Sequence, residues 1–141
     1  MRGSLWAAAA ATLCGGLVAC GDSGAVSDLS YAEVQQAAAA GDQARFRDWF
    51  REVRGERVAW NGRVVEVAKE HGDDFVEITM LVVDLDSATG GTTDGDVRLP
   101  ISAALAEDMF AGREVSFTGR IEDFEWTARR PVLRLDTQRI E

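Results

Sequence analysis

The segment DFEWTARRP, residues 123–131, combines an indole ring with two guanidinium groups at a spacing suited to ligand binding. Trp126 offers a flat surface for stacking, for instance of a sugar ring. Arg129 and Arg130 offer donors for a carboxylate or phosphate in a chain that is otherwise acidic. The structural alternative is that Trp126 covers the end of the core and the arginines pair with nearby acids. We predict a ligand-binding role for these three residues and keep the alternative open.

Carboxylates form the second group of residues that can do chemistry. Glu122, Asp123 and Glu125 precede the arginines, in a predicted loop between the fourth and fifth strands, and are the acids with which the arginines would pair. A buried carboxyl pair can act as general acid and base, which makes Glu122 or Asp123 the candidate acid of a carbohydrate hydrolase. In an exposed loop the same residues have no such role. We therefore predict no catalytic residue and no enzymatic activity.

The residues that could bind a metal ion are one histidine and four aspartates. Asp84, Asp86, Asp94 and Asp96 bracket a loop rich in glycine and threonine. Its oxygen atoms suit calcium, but DLDSATGGTTDG lacks the closing glutamate of an EF-hand, and we interpret the segment as a solvated loop. His71, the only histidine, lies in the predicted turn HGDD. We predict no metal site and no cofactor, and calcium binding by the loop stays an open alternative.

The first twenty residues have the pattern of a secretory signal. Arg2 gives a positive start, and an apolar run over residues 5–18 is too short to span a membrane comfortably. The tetrapeptide LVAC, which ends at Cys20, resembles the lipobox of bacterial lipoproteins. This resemblance implies removal of residues 1–19 and attachment of acyl chains, palmitate among them, to Cys20. Two or three such chains hold a protein durably on a membrane.

Charge and cysteine content narrow the possible functions. The formal net charge is −9, and it becomes −10 without the signal, because Arg2 is lost and no acid is. Such a surface disfavours nucleic acid and anionic lipid headgroups as partners. Acylation of Cys20 would leave no free thiol, which excludes disulfides, thiol catalysis and cysteine metal sites. Gly21, where an aspartate would favour retention at the inner membrane, favours the periplasmic side of the outer membrane in a Gram-negative cell.

Three segments follow the signal. Residues 20–30 are small and polar and are predicted to form a flexible tether. Residues 31–55 are predicted to form two helices, with a break at Gly41 and a cap at Asp42. An apolar stripe with helical spacing runs along the second helix. It is formed by Phe46, Trp49, Phe50 and Val53.

From residue 56 to residue 141 the apolar period becomes two, typical of strands. The alternation changes parity near Gly62, which predicts a bulge and a bend there. The second strand is apolar at both parities, with Phe75 assigned to its second face, and part of it is predicted to be covered on both sides. The order is three strands, a helix and two strands. This order predicts a mainly β fold, a five-stranded OB-fold Greek-key barrel with an N-terminal helical extension, and the alternatives are an SH3-like barrel or an open sheet.

Two motifs in this region resemble those of the tRNA-anti-like OB-fold lipoproteins over residues 45–141. A strand of the form V-x-x-x-G-x-V opens the barrel in that group, and a strand of the form G-x-x-V-x-F-x-G follows the helix. The matching residues are Val58, Gly62 and Val64 for the first motif, and Gly112, Val115, Phe117 and Gly119 for the second. The resemblance implies the fold and a lipoprotein setting, and it implies no activity.

The sequence thus predicts a lipid-anchored OB-fold binding module of the cell envelope. Its expected partner is an envelope protein or an envelope saccharide, contacted around Trp126, Arg129 and Arg130. An envelope carbohydrate hydrolase and an oligonucleotide-binding OB-fold are the alternatives. Two buried carboxylates in one cleft would favour the hydrolase, and a continuous basic groove would favour the oligonucleotide.

Overall fold

A computed structural model describes residues 25–85, 95–127 and 130–141. Two helices come first, five strands follow, and a short helix separates the third strand from the fourth, as predicted. In chain order the elements are α1 (Tyr31–Ala38), α2 (Gln43–Val53), β1 (Arg57–His71), β2 (Glu77–Asp84), β3 (Val97–Ile101), α3 (Ala103–Ala106), β4 (Glu114–Thr127) and β5 (Arg130–Ile140). No helix in the described part of the chain has the length and apolar character needed to cross a membrane.

Side-chain caps define the starts of both N-terminal helices. Ser30 caps α1, and the Glu33 side chain bonds back to the Ser30 backbone, which completes a capping box. The Asp42 carboxylate accepts hydrogen bonds from the backbone N–H groups of Ala44 and Arg45 at the start of α2. The predicted cap at Asp42 is therefore confirmed.

The apolar stripe of α2 packs the helical extension onto β4. Phe46 and Phe50 are buried, and their ring centroids lie 4.9 Å and 4.8 Å from that of Phe124. Trp126, two residues farther along β4, lies 5.6 Å from Phe46. Edge-to-face packing of this kind stabilises a core beyond the area that it buries. The stripe is thus part of the core.

The five strands form one sheet that closes on itself in the order β1-β2-β3-β5-β4. The first half of β1 pairs with β4, and its second half pairs with β2. All pairings are antiparallel except that of β3 with β5, which is parallel and joins only Val97 to Leu133 and Arg98 to Arg134. Closure leaves β1 with a partner on each side and removes the open edges of the sheet.

The irregularity in β1 lies two to four residues beyond the predicted position. The shift in pairing with β2 falls between Val64 and Glu66. Gly62 has a different role, because a Cβ atom there would lie 2.5 Å from Val83 Cγ1 and 2.7 Å from the Asp84 carbonyl oxygen. Glycine at 62 thus lets β1 and β2 approach closely, while the bulge follows it.

The second strand is covered on both sides, as predicted, but it begins later than its apolar run. Four successive residues from Met80 to Val83 are buried. Phe75 lies before the strand and is 89% exposed, so its assignment to a covered face of β2 is wrong. The backbone explains this: the Phe75 N–H bonds to the Gly72 carbonyl and closes a turn, with Phe75 itself at a φ of 57°.

Truncation of Phe46 tests the packing of α2 on the barrel. Phe46 is fully buried and contacts four aromatic rings, so Phe46→Ala should lower the free energy of unfolding by about 3–5 kcal/mol. Phe110 is 64% exposed, and Phe110→Ala should change that free energy by less than about 0.5 kcal/mol. Urea unfolding of the two variants measures the contrast. Equal effects would contradict the packing described.

Candidate ligand-binding face

The predicted binding segment lies mostly within a strand. β4 extends to Thr127, which places Glu122, Asp123 and Glu125 in the strand and leaves a short connection to β5. Trp126 is half-buried, packs against Phe46 and joins the residues that surround the core. Its ring thus has a structural contact, as the structural alternative expects, and it retains an exposed part.

Arg130 is held by residues that lie far from it in the sequence. One guanidinium nitrogen, Nη1, lies 3.1 Å from Asp96 Oδ1, and Nη2 donates to the Gly95 carbonyl at 2.8 Å. The expected acids were Glu122, Asp123 and Glu125, so Asp96 is a partner that the sequence did not indicate. Arg129 lies outside the described residues.

A row of cross-strand partners defines a second candidate surface, on the outside of the barrel. Residues opposite each other on neighbouring strands share a face of the sheet. The row runs over Glu66, Val82, Arg98 and Arg134. Val82 is outside the core cluster, whereas its neighbours Leu81 and Val83 belong to it, which places the row on the outer side. We call the following set the outer face: Glu66, Glu70, Met80, Val82, Arg98, Val132 and Arg134.

The outer face has an apolar floor. Met80, Val82 and Val132 are 0%, 7% and 9% exposed, although none of them belongs to the core cluster. Part of the cover over Val82 is the Gly95 backbone, which approaches so closely that a Cβ atom at 95 would collide with the Val82 side chain. The floor is therefore protected from water on the side of the sheet that faces away from the core.

Ion pairs cross this floor. Arg98 and Arg134 are neighbours in the β3–β5 register, and the Glu70 carboxylate contacts both, with N–O distances of 2.7 Å and 3.5 Å. Glu125 Oε2 lies 3.6 Å from Arg98 Nη1. Arg98, Glu125 and Arg134 border an open depression of about 300 Å³ beside Val132 and Asp123. The carboxylates offset the repulsion between the two arginines and leave a face with both signs of charge.

The hairpin between β1 and β2 adds exposed apolar groups beside the outer face. Phe75 is 89% exposed and Val76 is 61% exposed, so both side chains are open to solvent. The hairpin is braced at its base by the ion pair between Lys69 Nζ and Glu77, which are 2.6 Å apart. The hydrogen bond and positive charge from Lys69 lower the pKa of Glu77. The loops between strands 1 and 2 and between strands 4 and 5 border the ligand face of OB-folds.

Each of the two acidic clusters differs from its predicted environment in one respect. Glu122, Asp123 and Glu125 are exposed and lie in β4, not in a loop. Asp84 and Asp96 are buried, which contradicts the interpretation of a fully solvated loop, while Asp86 and Asp94 lie outside the described residues. Burial raises the pKa of the Asp96 carboxyl against the opposing effects of the Leu85 amide, Tyr31 and Arg130, and a hydrogen bond with Asp84 raises it further.

Over residues 25–85, 95–127 and 130–141 no group of three or more acids, histidines or cysteines is arranged to hold a metal ion. His71 is the last residue of β1 and is exposed, near its predicted place at the turn. Cys20, the predicted lipid attachment residue, precedes the described part of the chain.

Comparison with known proteins gives a structural neighbour. No family model and no curated protein matches the sequence. A lipoprotein from Klebsiella pneumoniae subsp. pneumoniae MGH 78578, named provisionally as nucleic acid-binding, has a crystal structure that aligns over 81% of this chain and 92% of its own. The TM-score is 0.54 and the sequence identity is 14%. The two proteins share a fold.

Truncation of Trp126 separates its two interpretations. Because the ring is half-buried against Phe46, Trp126→Ala should lower the free energy of unfolding by about 2 kcal/mol, roughly half the effect of a full core truncation. Trp126→Phe keeps an aromatic contact and should lower the free energy of unfolding by less than half as much. Urea unfolding measures both. A Trp126→Ala variant as stable as the unmodified chain would show that the ring is not part of the packing.

Proposed function

We propose that this chain is a lipid-anchored binding protein of the bacterial cell envelope. Cys20 carries the lipid, and the barrel is an OB-fold that binds its partner through the outer face and the two loops at its border. Trp126 and Arg130 border one of these loops, with Arg129 between them in the sequence, and Phe75 lies in the other. The protein acts by binding and carries no catalytic residue of its own.

Three observations support the anchor and the fold class. The tetrapeptide that ends at Cys20 has the form of a lipobox, and the structural neighbour in Klebsiella is itself a lipoprotein. The ring of strands has β1 between β2 and β4, and β3 pairs in parallel with β5, which agrees with a five-stranded Greek-key barrel.

The combination of an apolar floor, charged groups above it and exposed apolar groups at its border carries the proposal. An outward-facing strand position is ordinarily polar and solvated in a small barrel. Here three apolar side chains lie beneath the Glu70, Arg98 and Arg134 ion pairs. Because these three side chains are already covered, the apolar contact for a partner comes from the exposed Phe75 and Val76 at the border of the outer face. Apolar contacts beside charged groups are usual at protein-binding surfaces.

An envelope protein fits this surface better than the other ligand classes do. Phe75 and Val76 project exposed apolar groups that a protein pocket can bury, as aromatic anchors do at interfaces. A nucleic acid would need a basic groove, but the outer-face arginines contact glutamates and the net charge is −9. Nucleic acid remains an alternative ligand, because the Klebsiella neighbour is named for nucleic acid binding. A saccharide is a second alternative ligand, with Trp126 as the surface on which a sugar ring would stack.

Photocrosslinking in the native envelope tests the proposal. A benzoylphenylalanine in place of Phe75 should form an adduct with one protein on irradiation, because position 75 would lie in the interface. Excess unmodified protein should suppress this adduct, whereas excess Phe75→Ala protein should suppress it at least about tenfold less well, the factor that corresponds to 1.4 kcal/mol.

Position 110 supplies the matched control. Phe110 is also aromatic and exposed but lies outside the outer face and its loops, so benzoylphenylalanine at 110 should give no adduct with that protein. The absence of an adduct at 75, or the same adduct at both positions, would contradict the proposal. An adduct with nucleic acid or with glycan at 75 would show that this molecule, and not a protein, is the ligand.

A further inference from the structure

The last residues of the predicted tether are bound to the barrel, and we call residues 27–30 the strap. The Ser27 N–H donates a hydrogen bond to the Arg57 carbonyl at 2.7 Å. The Ser27 hydroxyl donates to Glu56 Oε2, also at 2.7 Å. The strap therefore begins beside the start of β1.

The rest of the strap packs along β1. The Leu29 carbonyl accepts a hydrogen bond from Trp60 Nε1 at 2.9 Å, and the Leu29 side chain packs against the core cluster. Directly after the strap, the Tyr31 ring lies 5.7 Å from that of Trp60. These contacts fix the place at which the chain from the N-terminus reaches the barrel.

The strap limits how far the barrel can lie from the predicted lipid. Ser27 follows Cys20 by seven positions. Because a fully extended chain gains at most about 3.6 Å per residue, Ser27 lies within about 25 Å of Cys20. This reach is shorter than the width of a small domain, about 30 Å. In the proposed function the lipid holds Cys20 at the membrane, so the end of the barrel at the start of β1 stays near the membrane surface.

An open depression of about 550 Å³ lies at this end of the barrel. Gly55 and Ile121 are among the residues that line it, and Gly55 directly precedes Glu56, which the strap contacts. The Gly55 N–H donates to the Ile121 carbonyl at 2.8 Å, and the Ile121 N–H donates to the Glu56 carbonyl at 2.9 Å. The depression and the strap therefore meet at the same few residues.

Both signs of charge line the depression. The guanidinium groups come from Arg54 at the end of α2, Arg120 of β4 and Arg134 of β5. Glu122 and Asp123, which are exposed, supply carboxylates. Guanidinium groups match a phosphate in charge and geometry, and carboxylates match an ammonium group. The lining therefore suits a ligand that carries both a phosphate and an ammonium group.

We propose that this depression binds the headgroups of zwitterionic phospholipids in the membrane that holds Cys20. The phosphate lies at the arginines, and the ammonium group lies at Glu122 and Asp123. This site rests on the lipid anchor of the proposed function, since the anchor keeps headgroups concentrated beside the barrel and lets even a weak site be filled. An anionic headgroup fits less well, because the carboxylates and the net charge of −9 repel it.

The headgroup site adjoins the outer face. Asp123 and Arg134 line both this depression and the depression on the outer face. A barrel held by headgroups at this site would therefore meet its partner close to the membrane surface.

Solid-state NMR of the full-length acylated chain in bilayers rich in phosphatidylethanolamine tests the site. Dephasing of carbon-13 guanidinium signals by phosphorus-31 detects arginines that contact a phosphate. We expect such dephasing, and Arg54→Gln and Arg120→Gln should each remove part of it. Arg63 is the matched control, because it is half-exposed, pairs with Glu114 and lies at the other end of the β1–β4 pairing. Absence of dephasing, or an equal loss in Arg63→Gln, would overturn the proposal.

A second bilayer, rich in phosphatidylglycerol, distinguishes the two classes of headgroup. Phosphatidylglycerol keeps the phosphate but lacks the ammonium group, so the part of the dephasing that depends on Arg54 should be smaller there. Glu122→Gln removes a carboxylate, and it should lower this part in phosphatidylethanolamine and raise it in phosphatidylglycerol. A change of the same sign in both bilayers would overturn the assignment to zwitterionic headgroups.

Mass spectrometry of the N-terminal peptide of the same sample separates failure of this site from failure of the proposed function. A chain without lipid on Cys20 would overturn both. An acylated chain that shows no dephasing in phosphatidylethanolamine would overturn the headgroup site alone.

Discussion

The architecture depends on one long strand that has two sets of partners. β1 pairs with β4 over Arg57–Arg63 and with β2 over Arg63–His71, so the ring of strands closes only if β1 changes direction along its length. The irregularity between Val64 and Glu66 supplies the bend, and Gly62 lets the Val83 side chain approach the β1 backbone. Closure then fixes which residues face the core, which form the outer face, and that Asp84 stands opposite Asp96.

The charged groups of the barrel act in two different ways. On the outer face, exposed and half-exposed ion pairs such as Arg98 with Glu70 contribute little to stability, because water screens them and holding long side chains costs entropy. At the end of β2 the side chains of Asp84 and Asp96 are removed from water, and this burial raises the pKa of the Asp96 carboxyl. The charged groups of the barrel thus lie in two different environments within one small domain.

Local signals in the sequence predicted the elements, while long-range contacts determined the sites. The cap at Asp42, the stripe of α2 and the strand–helix order follow from spacing within a few residues, and all were predicted. The Asp96 partner of Arg130 lies 34 positions away, and no local pattern indicates that a loop aspartate becomes fully buried. Phe75 was misplaced because an apolar residue beside a strand looks like part of it until the turn hydrogen bonds are known. Trp126 was recognised as structural or functional, and its contact with Phe46 needed α2 in place.

The proposed function depends above all on where the barrel is held, because the outer face is proposed to meet a partner in the cell envelope. Mass spectrometry of the N-terminal peptide, taken from the membrane fraction of cells that make the full chain, tests this most directly. The account predicts a peptide that begins at Cys20 and carries acyl chains, and a Cys20→Ser variant that leaves the membrane fraction or keeps its signal. A soluble, unmodified chain that retains residues 1–19 would contradict it.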